Sequence, residues 1–172
     1  MKIVFLDIDG VLNTSYTKEM FQGFTGIDSA CLHFFSDFFK KANEIEATEV
    51  VLTSSWRLGE TKDGNPVMDG YWYVYDTLKS VGITLFDVTP VCYKGGRGSE
   101  IAKWLIDHKD LDITGYVVLD DVLHTSFRTL GLTKRMIRTS WSKPNGGFTQ
   151  KHIERALETL MLPFYEPQPK DY

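Results

Sequence analysis

The chain has 172 residues, of which 42% are hydrophobic, and a formal net charge of −4; this length suffices for one domain with a real core. No apolar run reaches the roughly 20 residues of a membrane helix, so we expect no membrane partner. The negative charge argues against broad electrostatic binding to nucleic acid, but not against a local basic groove. Cys31 and Cys92 form no paired motif, which predicts neither a disulfide framework nor a zinc site and indicates a cytoplasmic protein.

Short segments rich in Val, Ile and Leu alternate with helical patterns along the chain. The predicted strands are residues 2–6, 49–53, 83–88, 116–120 and 135–139. The predicted helices are residues 29–44, 71–80, 99–108, 124–131 and 149–161. Strands that are apolar on both faces are typical of a parallel sheet covered by helices. The alternation therefore predicts an α/β fold with a three-layer, doubly wound (Rossmann-like) parallel sheet of about five strands.

The composition along the chain indicates a single domain. No repeat, low-complexity tract or clear linker divides it, so we expect a single domain over residues 1–162. The Pro-rich segment 163–172 is predicted to be a frayed tail.

Polar side chains follow the ends of four predicted strands. They are Asp7 and Asp9 after the first strand, Thr53 and Ser54 after the second, Lys94 and Arg97 after the third, and Asp120 and Asp121 after the fourth. Ligands of doubly wound sheets bind at the carboxyl ends of the strands. If the sheet is parallel, these groups converge on one edge and form one acidic site with at least one cation.

Asp7 and Asp9 lie two residues apart after an apolar strand, and like charges so close disfavour each other. A magnesium ion would offset this repulsion, since Mg²⁺ prefers a few carboxylates together with water and substrate phosphate. Asp7, Asp9 and Asp121 suit such an ion. Asp7 is then a candidate to attack phosphorus, and Asp9 a candidate to protonate the leaving oxygen and activate water. Thr53 or Ser54 could bind phosphoryl oxygens, and Arg97 or Lys94 could neutralise charge.

The four segments resemble, in order, the motifs of the haloacid dehalogenase (HAD) superfamily of phosphotransferases. They are "FLDIDGVL", "VVLTS", "KGGRGSEI" and "VVLDD", over roughly residues 3 to 121. The resemblance implies Asp7 as nucleophile and Asp9 as general acid and base. It also implies a magnesium ion held by the carboxylates of Asp7 and Asp121 and by the backbone carbonyl of Asp9. Asp120 is expected as a supporting carboxylate. Gly10 of the first motif is assigned, with the hydroxyls and cations above, to substrate phosphate binding.

Two features of this resemblance refine the expectation. For the third motif we favour Arg97, because it lies closer to the apolar helix position that follows, with Lys94 as the alternative. Residues 13–28 and 58–70 are too short for a large folded cap, which predicts an open site that admits bulky substrates.

The segments "LDIDGVLN", "LTSSWR", "RGSEIAKWL" and "GFTQKHIERALETL" resemble one small branch more narrowly, the phosphatase domain of Swiss Army Knife RNA-repair proteins. This resemblance implies a substrate among nucleotide or nucleic-acid terminal phosphates, on analogy alone. The expected partner is a phosphorylated small molecule or nucleic-acid end, and no stable protein partner is evident.

Two rival functions fit the order of the acidic residues less well. A receiver-like signalling module would carry its acceptor Asp after the third strand, whereas here the second acidic pair follows the fourth. A catalytically silent module that binds phosphate and magnesium would lack an expected carboxylate, and none is missing. Trp56 is expected to pack against a neighbouring helix rather than to stack on a base, and His124 to be a surface or boundary residue.

Overall fold

The computed structural model describes residues 1–59, 68–92 and 94–167. The strands are β1 (Lys2–Leu6), β2 (Met20–Phe21), β3 (Phe24–Thr25), β4 (Thr48–Leu52), β5 (Leu85–Val88), β6 (Gly115–Asp120) and β7 (Met136–Arg138). The helices are α1 (Ser29–Ile45), α2 (Gly70–Ser80), α3 (Gly96–Asp107), α4 (Thr125–Thr129) and α5 (Gln150–Leu160), with 3₁₀ turns at Ser55–Leu58 and Leu132–Arg135.

Five strands form one parallel sheet in the order β5-β4-β1-β6-β7. The central strand β1 pairs with β4 on one side and β6 on the other, so that Leu6 lies opposite both Leu52 and Leu119. This register brings the carboxyl ends of three neighbouring strands to the same level. The predicted doubly wound α/β fold is confirmed.

Two hydrophobic clusters cover the two faces of the sheet, and β1 contributes to both. Val4 and Leu6 pack on one face with side chains from α1, α2 and α5. Ile3 and Phe5 pack on the other face with side chains from α3 and α4. Every residue of β1 is buried, which is the reason why the strand is apolar without alternation.

The structure adds a small hairpin, β2–β3, that the sequence pattern did not predict. Gln22 and Gly23 form its two-residue turn, both with positive φ, which is the backbone that tight hairpins require. Within residues 13–28, this hairpin is the regular secondary structure that precedes α1. Residues 60–67 of the second short cap segment lie outside the described residues.

Helix α3 begins at Gly96, three residues before its predicted start. The glycines there resemble a loop in sequence, but Gly98 is the point of closest approach to α4. A Cβ on Gly98 would lie 2.8 Å from the Ser126 hydroxyl, and that hydroxyl accepts the Gly98 amide at 3.0 Å. Close packing against α4 therefore explains the glycine at position 98, even though glycine has a low helix propensity.

Helix α5 begins with an unusual capping box. The Thr149 amide donates to Nδ1 of His152 at 3.0 Å, while Thr149 also caps the first turn as expected. Partial burial, reinforced by Lys151 and Arg155, lowers the pKa of His152 to about 4. The imidazole is therefore a neutral acceptor at this helix start.

The segment after α5 runs back along the sheet. The Tyr116 hydroxyl donates to the Tyr165 carbonyl at 2.9 Å, and Arg135 donates to the Leu162 carbonyl at 3.1 Å. Residues 168–172 of the expected tail lie outside the described residues, so a domain boundary at residue 162 stays a prediction. Among the described helices, none is both long and apolar enough to span a bilayer.

Candidate active site

Three carboxylates meet at the carboxyl edge of the sheet, between β1 and β6. Asp7 follows β1, Asp120 ends β6 and Asp121 comes next. One oxygen of each lies within 4.8 Å of the others. All three residues are buried, with exposed fractions of 6%, 0% and 9%. The parallel register therefore produces the juxtaposition that the sequence predicted.

Burial makes this cluster electrostatically costly. The pKa of Asp120 is raised by its burial and by the neighbouring Asp7. The Val122 amide donates to Asp120 Oδ1 at 2.8 Å, and His124 Nε2 lies 3.5 Å from Oδ2. A divalent cation would relieve such a cluster. The donor set, carboxylate oxygens at close range, fits a hard ion such as Mg²⁺.

The Asp9 carboxylate is held by two nitrogen donors rather than joining the three-carboxylate cluster. Trp56 Nε1 donates to Oδ2 at 3.0 Å and Asn13 Nδ2 donates to Oδ1 at 2.9 Å. Asn13 in turn accepts the Gly10 amide at 3.0 Å. Asp9 thus has a defined orientation. A role of its backbone carbonyl in holding metal stays a prediction.

Gly10 stands where the backbone passes closest to Asp121. Its φ is +83°, and a Cβ there would lie 2.4 Å from the carboxyl carbon of Asp121. The Gly10 carbonyl accepts from the Thr139 hydroxyl at 2.6 Å. Only glycine allows this turn and this approach together.

Thr53 and Ser54 lie beneath the edge, both fully buried. Thr53 Oγ1 accepts from Thr89 Oγ1 at 3.1 Å, while the buried Ser54 hydroxyl has no hydrogen-bond partner among the described residues. Ser55, the next residue, lines the cavity at the site. The predicted binding of phosphate by Thr53 or Ser54 stays a prediction.

Arg97 is the cation that faces the carboxylates. Its Nη1 lies 3.5 Å from Asp7 Oδ1, and its Nε lies 3.8 Å from Glu100. Burial alone lowers the pKa of Arg97, but Asp7, Asp120 and Glu100 outweigh that effect and raise it. Lys94 is exposed on the preceding turn. Arg97 therefore remains charged against Asp7.

A second arginine supports this arrangement from below. Arg57 Nη2 lies 2.8 Å from Glu100 Oε2, and Arg57 also donates to the carbonyls of Ser54 (2.6 Å) and Thr89 (2.9 Å). Glu100 is thus shared by two arginines, which ties the turn after β4 to the start of α3.

These groups surround a cavity of about 160 Å³. Its lining residues are Asp7, Asp9, Ser55, Arg97, Asp121, Val122 and His124. The cavity therefore presents carboxylates, a hydroxyl and a guanidinium to one small space. That combination of groups suits the binding of a phosphoryl group together with a divalent cation.

Several site residues were not found from the sequence. Trp56 is fully buried, as expected of a packing residue, but its indole also donates to Asp9. His124 lies at the cavity although no ligand spacing marked it. Asn13 and Glu100 act through contacts that only the folded chain reveals. Position gave a signal for Trp56, which lies soon after β4, and for His124, which directly precedes α4.

The fold and this acidic cavity define a phosphatase of the HAD type. A family model described as "HAD domain in Swiss Army Knife RNA repair proteins" matches residues 3–153. The chain belongs to this family.

Among solved structures, the chain is similar to D,D-heptose 1.7-bisphosphate phosphatase from B. bronchiseptica, complexed with magnesium and phosphate. The identity is 15% and the TM-score 0.47, over 94% of this chain and 98% of that one. A comparison with curated proteins gives no significant match.

Proposed function

We propose that this protein is a magnesium-dependent phosphomonoester hydrolase that works through an aspartyl phosphate on Asp7. One observation carries the proposal. Carboxylate oxygens of Asp7, Asp120 and Asp121 lie within 4.8 Å of one another, and Nη1 of Arg97, in the first turn of α3, lies 3.5 Å from Oδ1 of Asp7. A buried nucleophile beside a fixed cation, in a cavity with further oxygen ligands, is what phosphoryl transfer requires.

In the first half of the reaction, an Asp7 oxygen attacks phosphorus and the bond from phosphorus to the leaving-group oxygen breaks. Asp9 gives its proton to that departing oxygen. In the second half, Asp9 takes a proton from water, and the resulting hydroxide attacks phosphorus. The bond to Asp7 breaks, and inorganic phosphate and free Asp7 are restored. Trp56 and Asn13 orient Asp9 for both proton transfers.

The side chains of Asp7, Asp120 and Asp121, with the Asp9 carbonyl, would hold the magnesium ion. When bound, the ion supplies positive charge to the phosphoryl oxygens and offsets the repulsion among the carboxylates. Arg97 neutralises charge on the same group from the α3 side, and Lys94 stays the alternative cation. We also assign phosphate contacts to Thr53, Ser54 and Gly10.

For the substrate we propose terminal phosphates of nucleotides or nucleic acids. The family to which the chain belongs is described from RNA repair proteins. Within the short segment 13–28 the regular secondary structure is the two-stranded hairpin β2–β3, which supports an open site.

The test measures hydrolysis of p-nitrophenyl phosphate with Mg²⁺ and after its removal with a chelator. Activity should require the ion, and Asp7→Asn should lower kcat by about 10³-fold or more because the nucleophile is lost while the shape is kept. Asp76→Asn, a change to an exposed carboxylate on α2, is the matched control and should retain wild-type activity. Asp9→Asn should accumulate acid-stable, hydroxylamine-sensitive phosphoenzyme.

The result separates the proposal from the rival functions. A receiver-like or silent module would bind Mg²⁺ without turnover of any phosphomonoester. Wild-type turnover by Asp7→Asn would refute the assignment of the nucleophile.

A further inference from the structure

A second, larger groove opens beside the active-site cavity. Its volume is about 540 Å³. Asp121 and Val122 line both the groove and the cavity, so the two spaces adjoin at the acidic cluster. The rest of the groove is formed by the end of β7 and the loop that follows it, including Arg138, Trp141 and Lys143. A leaving group that extends from a phosphate in the cavity in this direction would lie in the groove.

The loop that forms the groove is fixed to the active-site loop at several points. Thr139 donates its hydroxyl to the Gly10 carbonyl at 2.6 Å, and Ser15 donates its amide to the Trp141 carbonyl at 3.0 Å. The loop then closes on itself, because the Gly147 amide donates to Ser140 at 3.0 Å. The groove is therefore built in advance rather than formed by a long free loop.

Two cations line the groove beside Asp121, although the chain as a whole is acidic. Arg138 and Lys143 are both exposed there. Arg138 donates Nε to the Asp121 carbonyl at 3.1 Å, which fixes the side chain and leaves the other guanidinium nitrogens for a ligand. Guanidinium and ammonium groups beside hydroxyls such as Ser142 form a set of donors suited to phosphate. Trp141 adds an aromatic surface.

We propose that this groove is a leaving-group subsite that binds a second phosphate group on the substrate. The inference rests on the proposed function, because it takes the cavity as the place of the reacting phosphate. It makes the preferred substrate a phosphomonoester whose leaving group carries another phosphate and a ring, as in a nucleoside 3′,5′-bisphosphate. A simple monoester has no second phosphate to bind in the groove.

The experiment compares kcat/KM for adenosine 3′,5′-bisphosphate with the values for 3′-AMP, 5′-AMP and p-nitrophenyl phosphate. In the wild-type protein the bisphosphate should be favoured at least tenfold over the better monophosphate. Exposed charge contacts contribute up to about 1 kcal/mol each, or about fivefold. Arg138→Gln with Lys143→Gln should therefore remove most of the preference.

The matched control is Lys134→Gln, which removes an equally exposed cation at the amino end of β7, away from the edge that holds the site. This variant should keep the full preference for the bisphosphate. Added salt should reduce the preference in the wild type and have little effect on it in the double variant, because screening acts on exposed charges.

The outcomes distinguish the proposed subsite from the proposed phosphatase function. Hydrolysis of all substrates with equal efficiency, or a preference that the double variant retains, overturns the subsite and leaves the proposed function intact. If no phosphomonoester is hydrolysed with Mg²⁺, the proposed function and the leaving-group role fail together.

Discussion

Trp56→Phe tests whether the indole nitrogen orients Asp9 or only fills space. Trp56 has an exposed fraction of 1% and donates Nε1 to Asp9 Oδ2 at 3.0 Å. The substitution keeps an aromatic ring and removes the donor. A hydrogen bond to a charged group contributes about 1.5–3 kcal/mol. With the space left by the smaller ring, the free energy of unfolding should fall by about 2–4 kcal/mol.

The effect on catalysis should be separate from the effect on stability. Asn13 still donates to Oδ1 of Asp9, but without the indole donor the Asp9 carboxylate gains rotational freedom. A misplacement of a reacting group by about 1 Å costs up to about 100-fold in rate. We therefore expect kcat for p-nitrophenyl phosphate to fall by about 10- to 100-fold, with a smaller change in KM because the role proposed for Asp9 is proton transfer.

Trp104→Phe is the matched control. Trp104 has the same exposed fraction, 1%, and donates Nε1 to Asp87 Oδ2 at 2.6 Å, but on the α3 face away from the cavity. It should lower stability in urea unfolding without changing kcat. If Trp56→Phe behaves in the same way, with stability lost and turnover kept, the indole has only a packing role and the reasoning is refuted.

Three further predictions concern backbone, pH and thiol chemistry. Gly10→Ala should lower stability by about 1–2 kcal/mol through positive φ and also abolish turnover by displacing Asp121; Gly82→Ala, at φ +80° with nothing within 4 Å of its Cβ, should show the stability loss alone. The pKa of His152 is lowered to about 4 in the folded protein. Its contribution to the free energy of unfolding is therefore fully present above pH 6.5 and is lost as the pH falls towards 4. After allowance for partial exposure, His152→Gln should flatten this pH dependence by about 1–2 kcal/mol in unfolding experiments. Burial raises the pKa of Cys31 to about 12, so iodoacetamide at pH 8 should label the less buried Cys92 first, and prior labelling of Cys31 in mass spectrometry would contradict this.

The sheet was predictable because its strands are short and rich in apolar residues. In Lys2–Leu6 and Gly115–Asp120 the hydrophobic pattern, the strand length and the polar residues at the carboxyl end all agree. Parallel pairing places Asp7, Asp120 and Asp121 at one edge of the sheet, and the observed pairing of β1 with β6 brings them together. This is why the acidic cluster could be inferred without coordinates.

The partners of these residues could not be inferred in the same way. Trp56 reaches Asp9 across 47 positions of sequence, and Arg57 meets Glu100 across the turn after β4 and the start of α3. Such contacts depend on side-chain direction and loop path, which local patterns do not encode. The hairpin β2–β3 was missed for a different reason, because strands of two residues carry too little periodicity to be detected.

The central place of β1 has a consequence for how the chain acquires its activity. β1 precedes β6 in the chain, yet the two strands pair along their length. Pairing between segments so distant closes a long loop and is intrinsically slow. Asp7 is therefore synthesised well before the residues that complete its surroundings. A nascent chain that stops short of Gly115–Asp120 would carry Asp7 without its site. The proposed function therefore predicts that ribosome-bound fragments gain magnesium-dependent turnover only once β6 and β7 have left the exit tunnel.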